Sequence, residues 1–193
     1  MKQRIISHLG KENFAFYEKI YGIIDYQDKT VLDLGADVGS TADYFLQKGA
    51  LVVFAVEADV VRFAQLKTNI RAILKDPQFE TVKPTYATVD NAELLAGYFF
   101  LMRPDVVKYD LDAPGGKYFE RLLLELPENC LRLVPEYLVE IHTRPMARKL
   151  FDYFKIYGFK LVKDNLWAYP NTSVAYFKRI DVDPLEVAAS KLA

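Results

Sequence analysis

The stretch Thr30–Thr41, TVLDLGADVGST, decides the fold. Val31, Leu32 and Leu34 make an apolar run around Asp33, and the chain then turns through Gly35-Ala36-Asp37-Val38-Gly39. Ser40 or Thr41 opens a helical pattern carried by Ala42, Tyr44, Phe45 and Leu46. A buried strand running into a glycine turn and then a helix is the unit by which open α/β sheets hold nucleotide-like ligands.

The rest of the chain repeats this alternation. Leu51–Val56 is almost purely apolar, as expected of a parallel strand buried on both faces, and it finishes in Glu57-Ala58-Asp59. Helical spacing follows from Val60 to Leu74, and residues 81–89 read as a third strand that Pro84 assigns to a sheet edge. Asp90-Asn91 then stand where they can cap a helix over 91–101. A fourth strand over Asp105–Tyr109 runs into Asp110-Leu111-Asp112-Ala113-Pro114-Gly115-Gly116, and Tyr118–Leu126 reads as helical up to Pro127. Tyr137–His142 is a fifth strand, Pro145–Tyr157 its helix, and Phe159–Val162 and Ser173–Lys178 two last strands with no helix between them.

This order predicts a doubly wound, Rossmann-like, mostly parallel seven-stranded sheet that closes in an antiparallel C-terminal hairpin. Before it, residues 11–22 carry Phe14, Phe16, Tyr17, Ile20 and Tyr21 at helical spacing, a helix expected to pack against the domain and over a ligand cleft. We expect one domain over residues 1–193, with a helical extension to residue 29, a core over 30–178 and a tail in which Pro184 opens a helix.

Composition narrows the function classes. Of 193 residues, 51% are hydrophobic and 14% aromatic, enough for one well-filled core. A net charge of −1 argues against a broad basic surface for nucleic acid. Cys130 is the single cysteine, so neither an internal disulfide nor a CxxC knuckle exists, and the two histidines, His8 and His142, cannot build a histidine-rich cage. The opening MKQRIISHLGKENF has only a short apolar patch, and no apolar run reaches membrane-spanning length, so the expected location is cytoplasmic, without membrane contact.

The ligand should lie beyond the carboxyl ends of the strands. Gly35 and Gly39 admit close backbone approach. Glu57 ends the second strand, where a carboxylate can accept from two ribose hydroxyls, and Asp90 follows the third, where it can meet an adenine amino group. The 35/39 spacing lacks the middle glycine of a dinucleotide fingerprint, and Asp37 in the turn would repel a pyrophosphate. S-adenosylmethionine carries no phosphate and has an ammonium and a sulfonium, which suit a turn flanked by Asp33 and Asp37.

At this point the chain resembles the class I S-adenosylmethionine-dependent methyltransferases, and most closely the FkbM-type family. Val31–Gly39 is similar to that family's V-x-D-x-G-A-N-x-G, with Asp37 where asparagine is usual. Val56-Glu57 and Leu66-Lys67-Thr68-Asn69 resemble its second region, and Lys108–Gly115 its K-I-D-V-E-G-A-E motif, with Asp112 in place of the first glutamate and Gly115 in place of the second. Glu140-Ile141-His142 and Gly158-Phe159 match its later positions. The resemblance spans residues 30–178 and implies S-adenosylmethionine as cofactor, held by Asp33, Gly35, Ala36, Asp37, Gly39, Glu57, Ala58 and Asp90.

Methyl transfer from a sulfonium is an in-line displacement, and a hydroxyl acceptor must also lose its proton. Asp110 and Asp112 stand beside the expected methyl position, with Lys108 to keep them ionised and Glu140 and His142 within reach. No spacing among these residues prescribes a metal geometry, and none is assigned. The expected reaction is O-methylation of a small-molecule or glycan-like acceptor. RNA ribose methylation is the alternative, disfavoured by charge. A non-catalytic S-adenosylmethionine-binding module and a nicotinamide-dependent reductase stand behind it.

Overall fold

The computed structural model describes residues 11–73, 81–113, 117–164 and 173–180. His8, the Pro114-Gly115-Gly116 loop, Trp167, Tyr169 and the helix expected from Pro184 lie outside the described residues.

In chain order the elements are α1 (Lys11–Tyr21), β1 (Thr30–Leu34), α2 (Ser40–Gln47), β2 (Val52–Glu57), α3 (Val60–Ile73), β3 (Val82–Tyr86) and α4 (Ala92–Met102). Then come β4 (Val106–Tyr109), β5 (Asp112–Ala113), β6 (Lys117–Tyr118), α5 (Arg121–Leu124), α6 (Glu128–Leu131), β7 (Glu136–Ile141), α7 (Arg144–Ile156), β8 (Phe159–Asp164) and β9 (Ser173–Arg179). Seven strands form one sheet in the order β3-β2-β1-β4-β7-β9-β8. All neighbours are parallel except β7–β9 and β8–β9. The expected C-terminal hairpin is there, with β9 inserted beside β7 and β8 left at the edge. At the other edge lies β3, where Pro84 removes a donor at least cost.

Strand periodicity sorts side chains into two cores. Leu32, Leu34, Val107, Tyr109 and Val139 face α4 to α7 on one side, with Phe99, Leu150 and Phe154. Val31, Val53, Ala55, Val106 and Leu138 face α1 to α3 on the other, with Tyr21, Tyr44, Phe45 and Leu66. Burial on both faces is why these strands read as continuous apolar runs.

Local signals end the helices as their chemistry requires. Asn91 caps α4 by accepting from the Leu94 N–H at 2.8 Å, and Thr143 caps α7 by accepting from Met146. Gly49 and Gly158, with φ of 94° and 80°, take the left-handed positions after α2 and α7.

The expected continuous helix over 118–126 is not formed. Asp112–Ala113 and Lys117–Tyr118 instead pair as the antiparallel ribbon β5–β6, and the short helices α5 and α6 follow. The ribbon is tied down by the Tyr109 hydroxyl, which donates to the Phe119 carbonyl at 2.7 Å. Leu122, Leu123 and Leu126 are buried all the same, so the apolar pattern of this segment records burial and not helix length. Among the described residues no helix is long and apolar enough to cross a membrane.

Candidate functional site

The turn after β1 is built by close approach. Gly35 has φ 76°, and a Cβ there would stand 1.8 Å from the Asp110 carbonyl oxygen, so the backbones after β1 and β4 nearly touch. Gly39 has φ 93° and leaves room for Leu66 of α3. Asn69, one helical turn further on, donates its side-chain amide to the Val38 carbonyl at 2.8 Å. The L-x-x-N spacing therefore anchors the glycine turn to α3.

The turn's amides point inward. Gly35 and Ala36 both donate to the Val56 carbonyl at 3.0 Å, Asp37 donates to Glu57 Oε2 at 2.8 Å, and Gly39 donates to the Ala36 carbonyl at 2.9 Å. Glu57 closes the arrangement, because its Oε1 accepts from the Asp59 N–H at 2.8 Å. Its carboxylate is held at the end of β2 in one orientation, with lone pairs to spare on each oxygen. Asp37 itself takes a left-handed φ of 49° and pairs with Arg62 at 3.3 Å on the exposed rim. Ala58 and Asp90 are exposed beside this cleft, and Asp90 accepts from the Asn91 side chain at 3.0 Å.

Asp33 and Lys108 are register partners on β1 and β4 and share the α1–α3 face of the sheet. Asp33 is fully buried beneath the turn, accepts from the Thr41 hydroxyl at 2.5 Å and pairs with Lys108 at 3.1 Å. Lys108 Nζ has four oxygens around it: Asp33 at 3.1 Å, Asp110 Oδ2 at 3.2 Å, the Gly35 carbonyl at 2.8 Å and that of Leu34 at 3.4 Å. Burial alone would lower its pKa, but Asp110 and Asp33 outweigh that and raise it well above the usual lysine value. An ammonium has only three protons to donate, so these oxygens take its full capacity. The lysine holds both the turn and Asp110 in place.

Glu140, two residues beyond Leu138 on the same face of β7, meets Asp110. Burial and the charge and hydrogen bond of Asp110 push Glu140 up to about 8. Burial opposes ionisation of Asp110 too, but Lys108 outweighs it and holds that carboxyl below its usual range. The two carboxyls therefore titrate as a pair, with a proton held more readily at Glu140 than at Asp110.

His142 continues this line just past β7. Its Nδ1 lies 2.8 Å from Glu120 Oε1, and its backbone N–H donates to the same oxygen at 2.9 Å. Its Nε2 faces Asp112 Oδ1 at 3.5 Å and Glu140 Oε1 at 4.0 Å. Burial lowers the imidazole's pKa, and Glu120 more than restores it, leaving a net rise. Burial and the charge of Asp110 likewise raise that of Asp112, at the exposed mouth on β5.

Asp110, Asp112, Glu140 and His142 thus come together, with Lys108 directly beneath them. Glu120 is the participant that sequence reading missed. It lies 22 positions from His142 in a stretch that reads as ordinary helix surface, and only the short helix α5 brings it inward.

Helix α1 covers this end of the sheet. Tyr17, Tyr21 and Phe14 pack on Tyr44 of α2, whose hydroxyl donates to Glu18 at 2.8 Å. Tyr21 is buried among Lys108, Asp110, Glu140 and Asp33, and its phenol is pushed well up, first by burial. The expected packing role is met by this helix.

Fold and site together define a Rossmann-like α/β sheet whose glycine turn and carboxylate cluster meet at the topological switch point between β1 and β4. No protein-family model and no curated protein sequence matches the chain. Solved structures match it in fold. A Streptococcus agalactiae protein of the NADB-Rossmann superfamily is 14% identical, over 94% of this chain and 74% of its own, with a TM-score of 0.64. A Streptococcus pneumoniae protein proposed to be a tRNA (m1A22) methyltransferase, solved with S-adenosyl-L-methionine, is 14% identical over 93% and 78%, with a TM-score of 0.62. Aeropyrum pernix fibrillarin with natively bound S-adenosyl-L-methionine is also 14% identical, over 86% and 74%, with a TM-score of 0.57. At these identities the likeness is one of fold.

Proposed function

We propose that this chain is a class I S-adenosylmethionine-dependent methyltransferase that methylates an oxygen of a small-molecule or glycan-like acceptor, with residues 1–193 acting as one domain. The observation that carries the reading is the inward turn of the amides of Gly35, Ala36, Asp37 and Gly39. A pyrophosphate needs such amides pointing at it. The ribose of a nucleoside without phosphate still needs a carboxylate at the end of β2, where Glu57 stands. Solved neighbours that carry S-adenosyl-L-methionine on the same fold support the choice of cofactor.

In this reading Gly35, Ala36 and Gly39 shape the cofactor floor, and Asp33 and Lys108 brace it from below. Glu57 takes the ribose, with Asp37, Ala58 and Asp90 on the rim. The methyl group would point toward Asp110, Glu140 and His142. These groups can align an acceptor hydroxyl and receive its proton, and Asp112 stands where the acceptor enters. The net charge of −1 favours a small acceptor over RNA, although one of the three neighbours above is named for action on tRNA.

Isothermal titration with S-adenosylmethionine and its demethylated product tests the cofactor, with Glu57→Ala expected to weaken binding at least about tenfold, the loss of one charge-assisted bidentate contact. Absence of saturable binding by the wild-type chain refutes the reading. Transfer of a radiolabelled methyl group into fractionated extract tests the acceptor: label in the low-molecular-weight or glycan fraction is expected, and label confined to RNA refutes the acceptor class.

A further inference from the structure

We infer that Asp110, Asp112 and His142 form a binding site for one divalent transition-metal cation of the manganese–zinc class. One donor atom from each of the three lies within 4.8 Å of the other two. Donors on an ion with bonds of about 2.1 Å stand about 3 Å apart when adjacent and about 4.2 Å when opposite. The closing movement is therefore small, and it falls on the carboxylate best able to make it. Asp112 is 58% exposed and sits on the two-residue strand β5.

The other two donors are already held. Lys108 fixes Asp110 through Oδ2 at 3.2 Å. Glu120, itself buried, takes both the backbone N–H and the Nδ1 side of His142. That contact turns Nε2 toward Asp112 and Glu140. A carboxylate behind an imidazole whose far nitrogen meets further carboxylates is the arrangement by which metal-binding histidines are oriented and made more basic.

Charge points the same way. Asp110, Asp112 and Glu120 face one imidazole, with Glu140 sharing a proton with Asp110, while Lys108 is shared with Asp33. A cation among them offsets the excess of carboxylates. One imidazole nitrogen with two carboxylate oxygens suits Mn²⁺ or Zn²⁺ better than Mg²⁺, which prefers oxygen donors alone. The inference deepens the methyl-transfer reading, on which the ion would hold an acceptor oxygen beside the methyl donor, but binding of the ion does not require that reading.

The test is titration of the full chain with Mn²⁺, followed by the paramagnetic resonance signal of the free ion, with no S-adenosylmethionine present. One saturable site per chain is expected, displaced by Zn²⁺ but not by an equal concentration of Mg²⁺. Asp112→Asn and His142→Gln should each weaken it at least about tenfold, and Glu120→Gln by about ten- to a hundredfold. Circular dichroism confirms folding. Should His142→Gln fail to fold, the exposed Asp112→Asn decides. Lack of saturable uptake by the wild type, or uptake unchanged in Asp112→Asn, overturns the inference. Lost Mn²⁺ binding with S-adenosylmethionine binding intact removes this inference alone, and the reverse result removes only the methyl-transfer reading.

Discussion

Lys108→Met tests whether the lysine beneath the site is a structural keystone. The substitution preserves length and apolar stem but removes the charge that faces Asp33 and Asp110. Asp33 is fully buried, so without Lys108 its carboxylate keeps only the Thr41 hydroxyl and cannot rehydrate. Stranding one partner of a buried pair costs about 3–5 kcal/mol. Asp110 is a quarter exposed and can turn to water, so it adds little. The Gly35 carbonyl loses the Lys108 hydrogen bond, about 1 kcal/mol more. The expected loss of about 5 kcal/mol is a large share of the roughly 5–15 kcal/mol that holds a domain together. Urea unfolding at pH 7, followed by circular dichroism, measures it. Adding Asp33→Asn to Lys108→Met removes the stranded charge and should recover about 2 kcal/mol of that loss, a coupling of the size seen between residues in one network. A loss below about 1 kcal/mol, or a double variant no more stable than Lys108→Met, refutes the reasoning.

Two glycines should respond in opposite directions to alanine. Gly35→Ala places a Cβ 1.8 Å from the Asp110 carbonyl at φ 76° and should cost about 3 kcal/mol or more, whereas at Gly97 in α4 a Cβ meets nothing within 4 Å and should stabilise by about 0.5–1 kcal/mol. Melting both variants beside the wild type checks this, and equal shifts would contradict it. Alkaline pH should unfold the chain. Burial raises the phenols of Tyr26 and Tyr137 well above the usual value of 10, and that of Tyr153 to about 12. The folded state therefore keeps protons that the unfolded chain releases, so these tyrosines leave stability intact below about pH 10 and erode it as pH rises further. Urea midpoints at pH 8, 9.5 and 11 should be level at first and then fall. A flat series would mean that the phenols ionise in place.

Most of the architecture was legible because it rests on local periodicity. Val31 to Leu34, Val52 to Val56 and Val106 to Tyr109 are largely apolar and buried and lie inside the sheet, while Pro84 announced an edge. Lys108 and Asp110 could be placed on one face from strand alternation, and so could Glu140 and His142, since residues two apart share a face. The segment from Tyr118 to Leu126 was misread as one helix. Its buried leucines have helical spacing, but the ribbon β5–β6 and the break at Pro127 shorten the helix to a single turn.

By itself the sequence determined the strand–turn–helix unit, the sheet with its terminal hairpin and the carboxylate at the end of β2, because each is written in neighbouring residues whose backbone preferences act locally. Tertiary structure alone decided that the amides of Gly35–Gly39 turn inward, that Lys108 is taken up by four oxygens, and that Glu120 aims His142 at Asp112. Most of those contacts join residues 20 to 75 positions apart. Their geometry depends on strand register and on how α5 and the turn settle against the sheet, and no window of neighbouring residues carries that information.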